Sequence, residues 1–141
     1  MADCVHVDRR ALAAVVAHAR AEAPRECCGL LVGLEGRIVE AVALPNVDPT
    51  PERRFQVDPR DHIHLRRSLR GSGRSIAGVY HSHPGSPPAP SPSDVAEALY
   101  PDFIYLIVSL LDDPPDVRAY RIIQQIVREL PVRTGKEPRR T

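Results

Sequence analysis

Apolar positions along the chain change their spacing several times, and each change marks an element. Leu12, Val15, Val16 and Ala19 recur at i, i+3, i+4 and i+7, which is one face of a helix. Asp8 stands before that run as a capping residue, and Pro24 closes it. From Cys27 to Leu44 two short apolar runs flank Glu35-Gly36, a pattern of two strands joined by a tight turn. Asn46 to Arg54 is polar and proline-rich and reads as an exposed loop, with a brief strand at Phe55 to Val57. Asp58-Pro59 then starts a helix, because Asp caps and proline's fixed φ suits the first helical position. That helix runs to about Leu69 and stops at Gly71-Ser72-Gly73.

The second half alternates in the same way. Ser75 to His83 is a strand, Pro84 to Pro90 a stiff loop with four prolines, and Ser91 the start of a short helix to about Leu99. Phe103 to Leu111 is almost wholly apolar, as a strand buried on both faces should be. Asp112 to Asp116 turns the chain into a last strand, Val117 to Ile123. Strands interleaved with helices, no internal repeat and no interdomain linker point to one α/β layered domain, residues 1 to 130, followed by a basic flexible tail, 131 to 141.

Composition narrows the functional classes. The 141 residues suit one core, and 43% hydrophobic content fills it with Val, Leu, Ile and Ala, since aromatics make up only 4%. With 19 basic and 18 acidic residues the net charge is +1, which gives no footprint for nucleic acid or an anionic membrane. The tail is the exception: Arg133, Lys136, Arg139 and Arg140 stand against Glu137, a solvated end or a strip for an acidic partner. Cys4, Cys27 and Cys28 are odd in number and two are adjacent, which argues against a disulfide framework and for a reducing compartment. The N-terminal segment lacks a signal-peptide core, and no apolar run is long enough for a bilayer. The expected location is the cytoplasm.

The chemistry concentrates in His81-Ser82-His83-Pro84 and Ser91-Pro92-Ser93-Asp94. On a strand, residues i and i+2 face the same way, so His81 and His83 can converge on one point. A stiff loop brings the next helix start back beside the strand end, and Asp94 lies in its first turn. Two imidazoles and one carboxylate leave a fourth position open, which is the pattern of a catalytic zinc site. Each part has a plainer explanation: His-X-His pairs usually pack or sit on surfaces, and Ser-X-X-Asp resembles a capping box. Their combination at this spacing favours the metal. Ser82 should face away from its neighbours. His62 and His64 share the spacing but fall in a helix, where i and i+2 diverge. Cys27 and Cys28 should point to opposite faces of a strand.

His81-X-His83, seven residues, then Ser91-X-X-Asp94 resembles the motif of the JAMM (MPN-plus) metalloproteases. The stretch Pro24-Arg25-Glu26-Cys27-Cys28-Gly29-Leu30-Leu31-Val32-Gly33 is similar to that family's upstream glutamate segment, in particular that of its small stand-alone bacterial members. The resemblance implies a cytidine-deaminase-like α/β/α fold around a central mixed, curved sheet. It implies one Zn2+ held by His81, His83 and Asp94, with Glu26 as general base and Ser91 as hydrogen-bond donor to the oxyanion. It also implies a peptidase or isopeptidase that cuts after the C-terminal Gly-Gly of a small ubiquitin-like sulfur carrier protein, releasing cysteine or another adduct. Asn46 to Arg54 is then expected to wall the channel for that tail. The alternatives are a RadC-like DNA-repair-associated protein, disfavoured by the charge balance, and a non-catalytic MPN scaffold, disfavoured because every ligand is present. A zinc nucleoside deaminase would need His-X-Glu and Pro-Cys-X-X-Cys, and neither occurs.

Overall fold

The computed structural model describes residues 4–134. Its elements in order are β1 (Val5–His6), α1 (Arg9–Glu22), β2 (Cys28–Leu34), β3 (Arg37–Leu44), α2 (Pro59–Ser68), β4 (Ser75–His83), α3 (Pro92–Ala96), β5 (Ile104–Ser109), β6 (Asp116–Ile123), β7 (Ile126–Leu130) and β8 (Val132–Arg133). Six strands form one sheet in the order β3-β2-β4-β5-β6-β7. Only β4 and β5 run parallel; the other neighbours are antiparallel. The sheet is mixed, as the resemblance implies.

Helices cover both faces, giving three layers. Ala11, Val15 and Ala19 of α1 pack with Leu31, Tyr80, Leu106 and Val108 on one face. On the other, Leu30, Val79, Tyr105, Ile107, Tyr120 and Ile122 meet Leu65 of α2 and Val95 of α3. The buried stripe of α1 differs from the expected face by part of a turn: Ala11 is buried, while Leu12 and Val16 are only partly so. Small residues let the helix lie close on the sheet. The strand β5 is buried along its whole length, as its unbroken apolar run requires.

One glycine sets the spacing that the site depends on. A Cβ at Gly78 would stand 2.0 Å from the Ile104 carbonyl oxygen, so only glycine lets β4 and β5 pair through this register. The Glu35-Gly36 turn has φ of 52° and 82°, the paired left-handed geometry of a two-residue hairpin.

Several elements depart from the sequence expectation. Asp8 occupies the N-cap of α1 but makes no capping hydrogen bond. Its carboxylate instead accepts from Arg37 Nε at 2.9 Å. The brief strand at Phe55 to Val57 is a single bridge, Asn46 with Val57. The helix from Ser91 ends at Ala96, short of the expected Leu99. The hairpin partner β7 and the two-stranded pair β1-β8 come in addition to the expected strands. Gln124 and Gln125 both adopt positive φ, 51° and 67°, to form the β6-β7 turn without the glycine or asparagine that signals one. Val132 and Arg133 pair with β1, so ordered structure continues past the expected boundary at residue 130. The rest of the basic tail, from residue 135, lies outside the described residues.

Candidate metal centre

The strand β4 ends between β2 and β5, where Cys28 is opposite His81 and Ser109 is opposite His83. Alternation along β4 turns both imidazoles to the same face, and both are buried. The short helix α3 starts beside them. Ser91 Oγ accepts from Asp94 N at 3.1 Å, and Asp94 Oδ2 accepts from Ser91 N at 2.9 Å, a complete capping box. The same Oδ2 is 3.1 Å from His81 Nε2 and 3.2 Å from His83 Nε2, and the two Nε2 atoms are 3.2 Å apart. Cap and cluster are therefore one arrangement, and the capping box does not compete with the cluster.

Hydrogen bonding fixes which nitrogen is available. The ring of His83 meets the Pro87 carbonyl through Nδ1 at 2.8 Å, and a carbonyl can only accept. The proton of neutral His83 is thus on Nδ1, and the Nε2 lone pair points at the other two acceptors. Three such atoms at this range repel unless imidazole protons or a metal ion lie among them. Ligands about 2.0–2.1 Å from a tetrahedral ion stand about 3.3–3.4 Å apart, close to the separations seen. His81, His83 and Asp94 can hold one metal ion.

Neighbouring groups lock this geometry. The Phe55 ring stacks on His81 with centroids 4.2 Å apart at 19°. Three consecutive carbonyls of the proline loop are pinned: Ser109 Oγ donates to Ser86 O at 2.6 Å, His83 Nδ1 to Pro87 O, and the Tyr120 hydroxyl to Pro88 O. Ser82 faces the other way, as expected, and its Oγ accepts from Cys27 N at 2.8 Å. That bond ties β4 to the residue next to Glu26. Phe55, Ser109, Tyr120 and the Pro87 carbonyl escaped the sequence reading. Their contacts come from chain segments far apart, and a backbone acceptor leaves no side-chain signal.

Glu26 stands just before β2 and is buried, with Oε1 lacking any hydrogen-bond partner among the described residues. Burial raises its pKa to about 7; His83 opposes the shift, and the charges of Asp94 and Asp48 add to it. The loop from Asn46 to Arg54 folds against it. Glu26 N donates to Pro51 O at 2.7 Å, and Asn46 Nδ2 donates to Glu26 O at 2.9 Å. Glu26, Asn46 and Pro51 border a groove of about 570 Å3 shared with His18 and Glu22 of α1.

The three cluster residues differ in proton affinity. Burial lowers the pKa of His81. Burial also opposes charge on His83, but the Asp94 hydrogen bond, the Pro87 carbonyl and the charges of Asp94 and Glu26 outweigh it and raise the pKa. Asp94 is held far below the usual carboxylate range: burial would raise it, but the hydrogen bonds from His81, His83 and the Ser91 backbone dominate. Cys27 and Cys28 are free thiols that burial pushes up to about 11 and about 12, so neither is a ready thiolate.

An α/β/α layer with His, His and Asp gathered at a strand end and a buried glutamate just before the neighbouring strand defines a hydrolase of the metal-centre type. The sequence profile of the prokaryotic homologs of the JAB domain matches residues 8–123. The CysO-cysteine peptidase of Mycobacterium tuberculosis is 34% identical over 122 residues, 84% of this chain and 83% of that protein. A desampylase of Haloferax volcanii is 36% identical over 101 residues, 67% of this chain and 73% of that protein. A Desulfitobacterium hafniense protein known from its solution structure superposes with a TM-score of 0.84 at 32% identity, covering 94% of each chain. The chain belongs to the prokaryotic JAB-domain family, as a JAMM-type hydrolase.

Proposed function

We propose that the protein is a zinc-dependent peptidase that hydrolyses the amide bond after the C-terminal Gly-Gly of a small ubiquitin-like sulfur carrier protein. The observation that carries the reading is the convergence of His81 Nε2, His83 Nε2 and Asp94 Oδ2 within 3.2 Å of one another, beside a buried glutamate with an unpartnered oxygen. Two nitrogens and one carboxylate oxygen suit zinc, and three protein ligands leave a position for chemistry. Relatives whose names describe a CysO-cysteine peptidase and a desampylase support a protein tail as the substrate.

His81, His83 and Asp94 would hold the metal, and zinc bound there supplies Lewis acidity that brings the pKa of water to about 7 and polarises a carbonyl. Glu26 takes the proton of the attacking water through its free oxygen. With a pKa near neutrality it can then return that proton to the departing amine. The hydroxyl of Ser91 accepts the Asp94 N–H and lies 3.2 Å from Ser93 Oγ; with Ser93 as the donor of that pair, the Ser91 proton is left to donate to the oxyanion. The loop from Asn46 to Arg54 walls the approach beside Glu26, and a tail of two glycines is thin enough to lie along it.

Two measurements test this reading. Protein purified without added metal should contain close to one zinc per chain by elemental analysis. A panel of sulfur carrier proteins carrying a C-terminal cysteine adduct, with ubiquitin-type linkages alongside, should yield carrier ending in Gly-Gly, read by mass. Cleavage of none of them refutes the peptidase assignment.

A further inference from the structure

Beside the metal ligands and Glu26, one side chain uses every hydrogen bond it can make. Asn46 Nδ2 donates to Glu26 O at 2.9 Å and to Arg54 O at 3.0 Å. Its Oδ1 accepts from Asp48 N at 3.0 Å and from Gln56 N at 3.1 Å. A primary amide offers two N–H donors and an oxygen with two lone pairs, so all four places are filled. The orientation of the amide is fixed as well. Carbonyls only accept and backbone N–H groups only donate, so turning the amide over would lose all four bonds. Aspartate has the length without the donors, and glutamine has the donors on a longer stem.

These four bonds join the two halves of the site. One carbonyl belongs to Glu26 itself. Arg54 and Gln56 stand on either side of Phe55, whose ring stacks on His81. Phe55 lies between β3 and α2, outside any strand. The Asn46 amide grips its backbone from both sides, next to a bond from Val47 N to Gln56 O at 3.0 Å. The ring matters because His81 lacks a second anchor. Its Nδ1 is buried with no hydrogen-bond partner among the described residues, whereas His83 Nδ1 is fixed by the Pro87 carbonyl. A histidine that ligates a metal through one nitrogen is usually oriented by a hydrogen bond at the other. For His81 the stacked face of Phe55 takes that task.

We infer that Asn46 is a positioning residue for both halves of the site: its amide holds the main chain of Glu26 and, through Phe55, the ring angle of His81. The His81 part rests on His81, His83 and Asp94 holding a metal ion, and the Glu26 part on the peptidase reading above. The loop that walls the channel and one metal ligand are then a single unit, pinned at one amide.

Metal affinity reads the His81 part without any substrate. Asn46→Ala, and Phe55→Leu, which keeps apolar bulk without a flat ring, should each weaken zinc binding about tenfold in competition with a chelator. Cobalt bound in place of zinc should show a changed visible spectrum in both. Phe55→Tyr keeps the stacked face and should restore both readings. Asn46→Ala combined with Phe55→Leu should bind zinc no more weakly than the worse single variant, because the amide acts on His81 through the ring. On the carrier cleaved best in the panel, at saturating zinc, Asn46→Ala should lower kcat about 10- to 100-fold with a smaller change in KM. That loss should exceed the one in Phe55→Leu, since Glu26 is freed as well. Asn46→Ser, which keeps a short polar side chain and adds no charge, repeats the test where Asn46→Ala does not fold. Wild-type affinity and cobalt spectrum in Phe55→Leu overturn the role of the ring, and additive losses in the double variant overturn the coupling through it. A kcat loss in Asn46→Ala no larger than in Phe55→Leu overturns the hold on Glu26. A lower melting temperature with affinity, spectrum and kcat unchanged makes Asn46 structural only and overturns the inference. Wild-type protein that binds zinc but cleaves no carrier removes the peptidase reading and leaves the His81 part standing; wild-type protein that binds no metal removes both.

Discussion

Replacing Glu26 with Gln separates chemistry from metal binding and from stability. The side chain is buried and its Oε1 has no partner, so the ionised form lacks the hydration it has in the unfolded chain. Its pKa rises from 4.5 to about 7, which corresponds to roughly 3 kcal/mol. The adjoining groove admits water to one side, so about half of that, ~2 kcal/mol, should survive screening. The sign follows from a raised folded-state value: Glu26 favours folding most below pH 4.5, and this contribution is lost as pH rises through about 7. Gln does not titrate. In metal-free protein the melting temperature of Glu26→Gln relative to wild type should therefore climb between pH 4.5 and pH 8, ending about 5 °C higher. Calorimetry on chelator-treated protein at several pH values reads this directly. At the same time kcat should fall about 10²- to 10⁴-fold with zinc content unchanged, since a general base contributes that much. Retained hydrolysis, or a stability difference that does not change with pH, would refute the reasoning.

The other substitutions read separate parts of the site. Asp94→Ala should lose zinc, and it should also lose about 1 kcal/mol of helix stability with the cap; Asp94→Asn, which keeps an oxygen for Ser91 N, should lose zinc with a smaller drop in melting temperature. Ser91→Ala should retain zinc by elemental analysis while kcat falls about 10²- to 10³-fold, together with loss of the same cap. Gly78→Ala drives a methyl group to 2.0 Å from the Ile104 carbonyl oxygen, so the β4-β5 pairing must open and the protein should melt well below wild type or fail to accumulate.

How much of this was legible in the chain depends on how local each cause is. His81 and His83 could be placed on one face because strand alternation needs only two residues. Asp94 could be placed beside them because a capping box fixes the first turn of a helix, and the structure uses that same carboxylate oxygen for both purposes. Glu26 was legible only through resemblance, since an acid before a strand carries no periodic signal. The Pro87 carbonyl that sets the tautomer of His83 was invisible, being backbone. Phe55 could be read as an apolar residue but not as the ring that stacks on His81, because that contact joins segments 26 positions apart. The strand β7 was missed for a chemical reason: Gln124 and Gln125 take left-handed conformations that sequence rules reserve for glycine and asparagine. The apolar spacing predicts a helix to Leu99, but the helix ends at Ala96 and Leu99 stands exposed.

The three candidate ligands differ in proton affinity, and this decides how metal binding depends on pH. The hydrogen bonds to Asp94 keep it ionised, so it gives up no proton on binding. Burial keeps His81 neutral, with the same consequence. His83 differs: burial opposes its charge, but Asp94, the Pro87 carbonyl and Glu26 outweigh it and raise its pKa, so below that pKa a metal ion must displace a proton from His83. Below the pKa of His83 one proton should therefore leave as one ion binds. Measured in Glu26→Gln, so that the neighbouring carboxyl does not titrate, zinc affinity should fall about tenfold per pH unit once pH is below the pKa of His83. Titration calorimetry in buffers of different ionisation enthalpy counts the proton independently. A release of two protons would place His81 among the charged groups and contradict the burial argument. A release of none would mean that Asp94 does not hold a proton on His83.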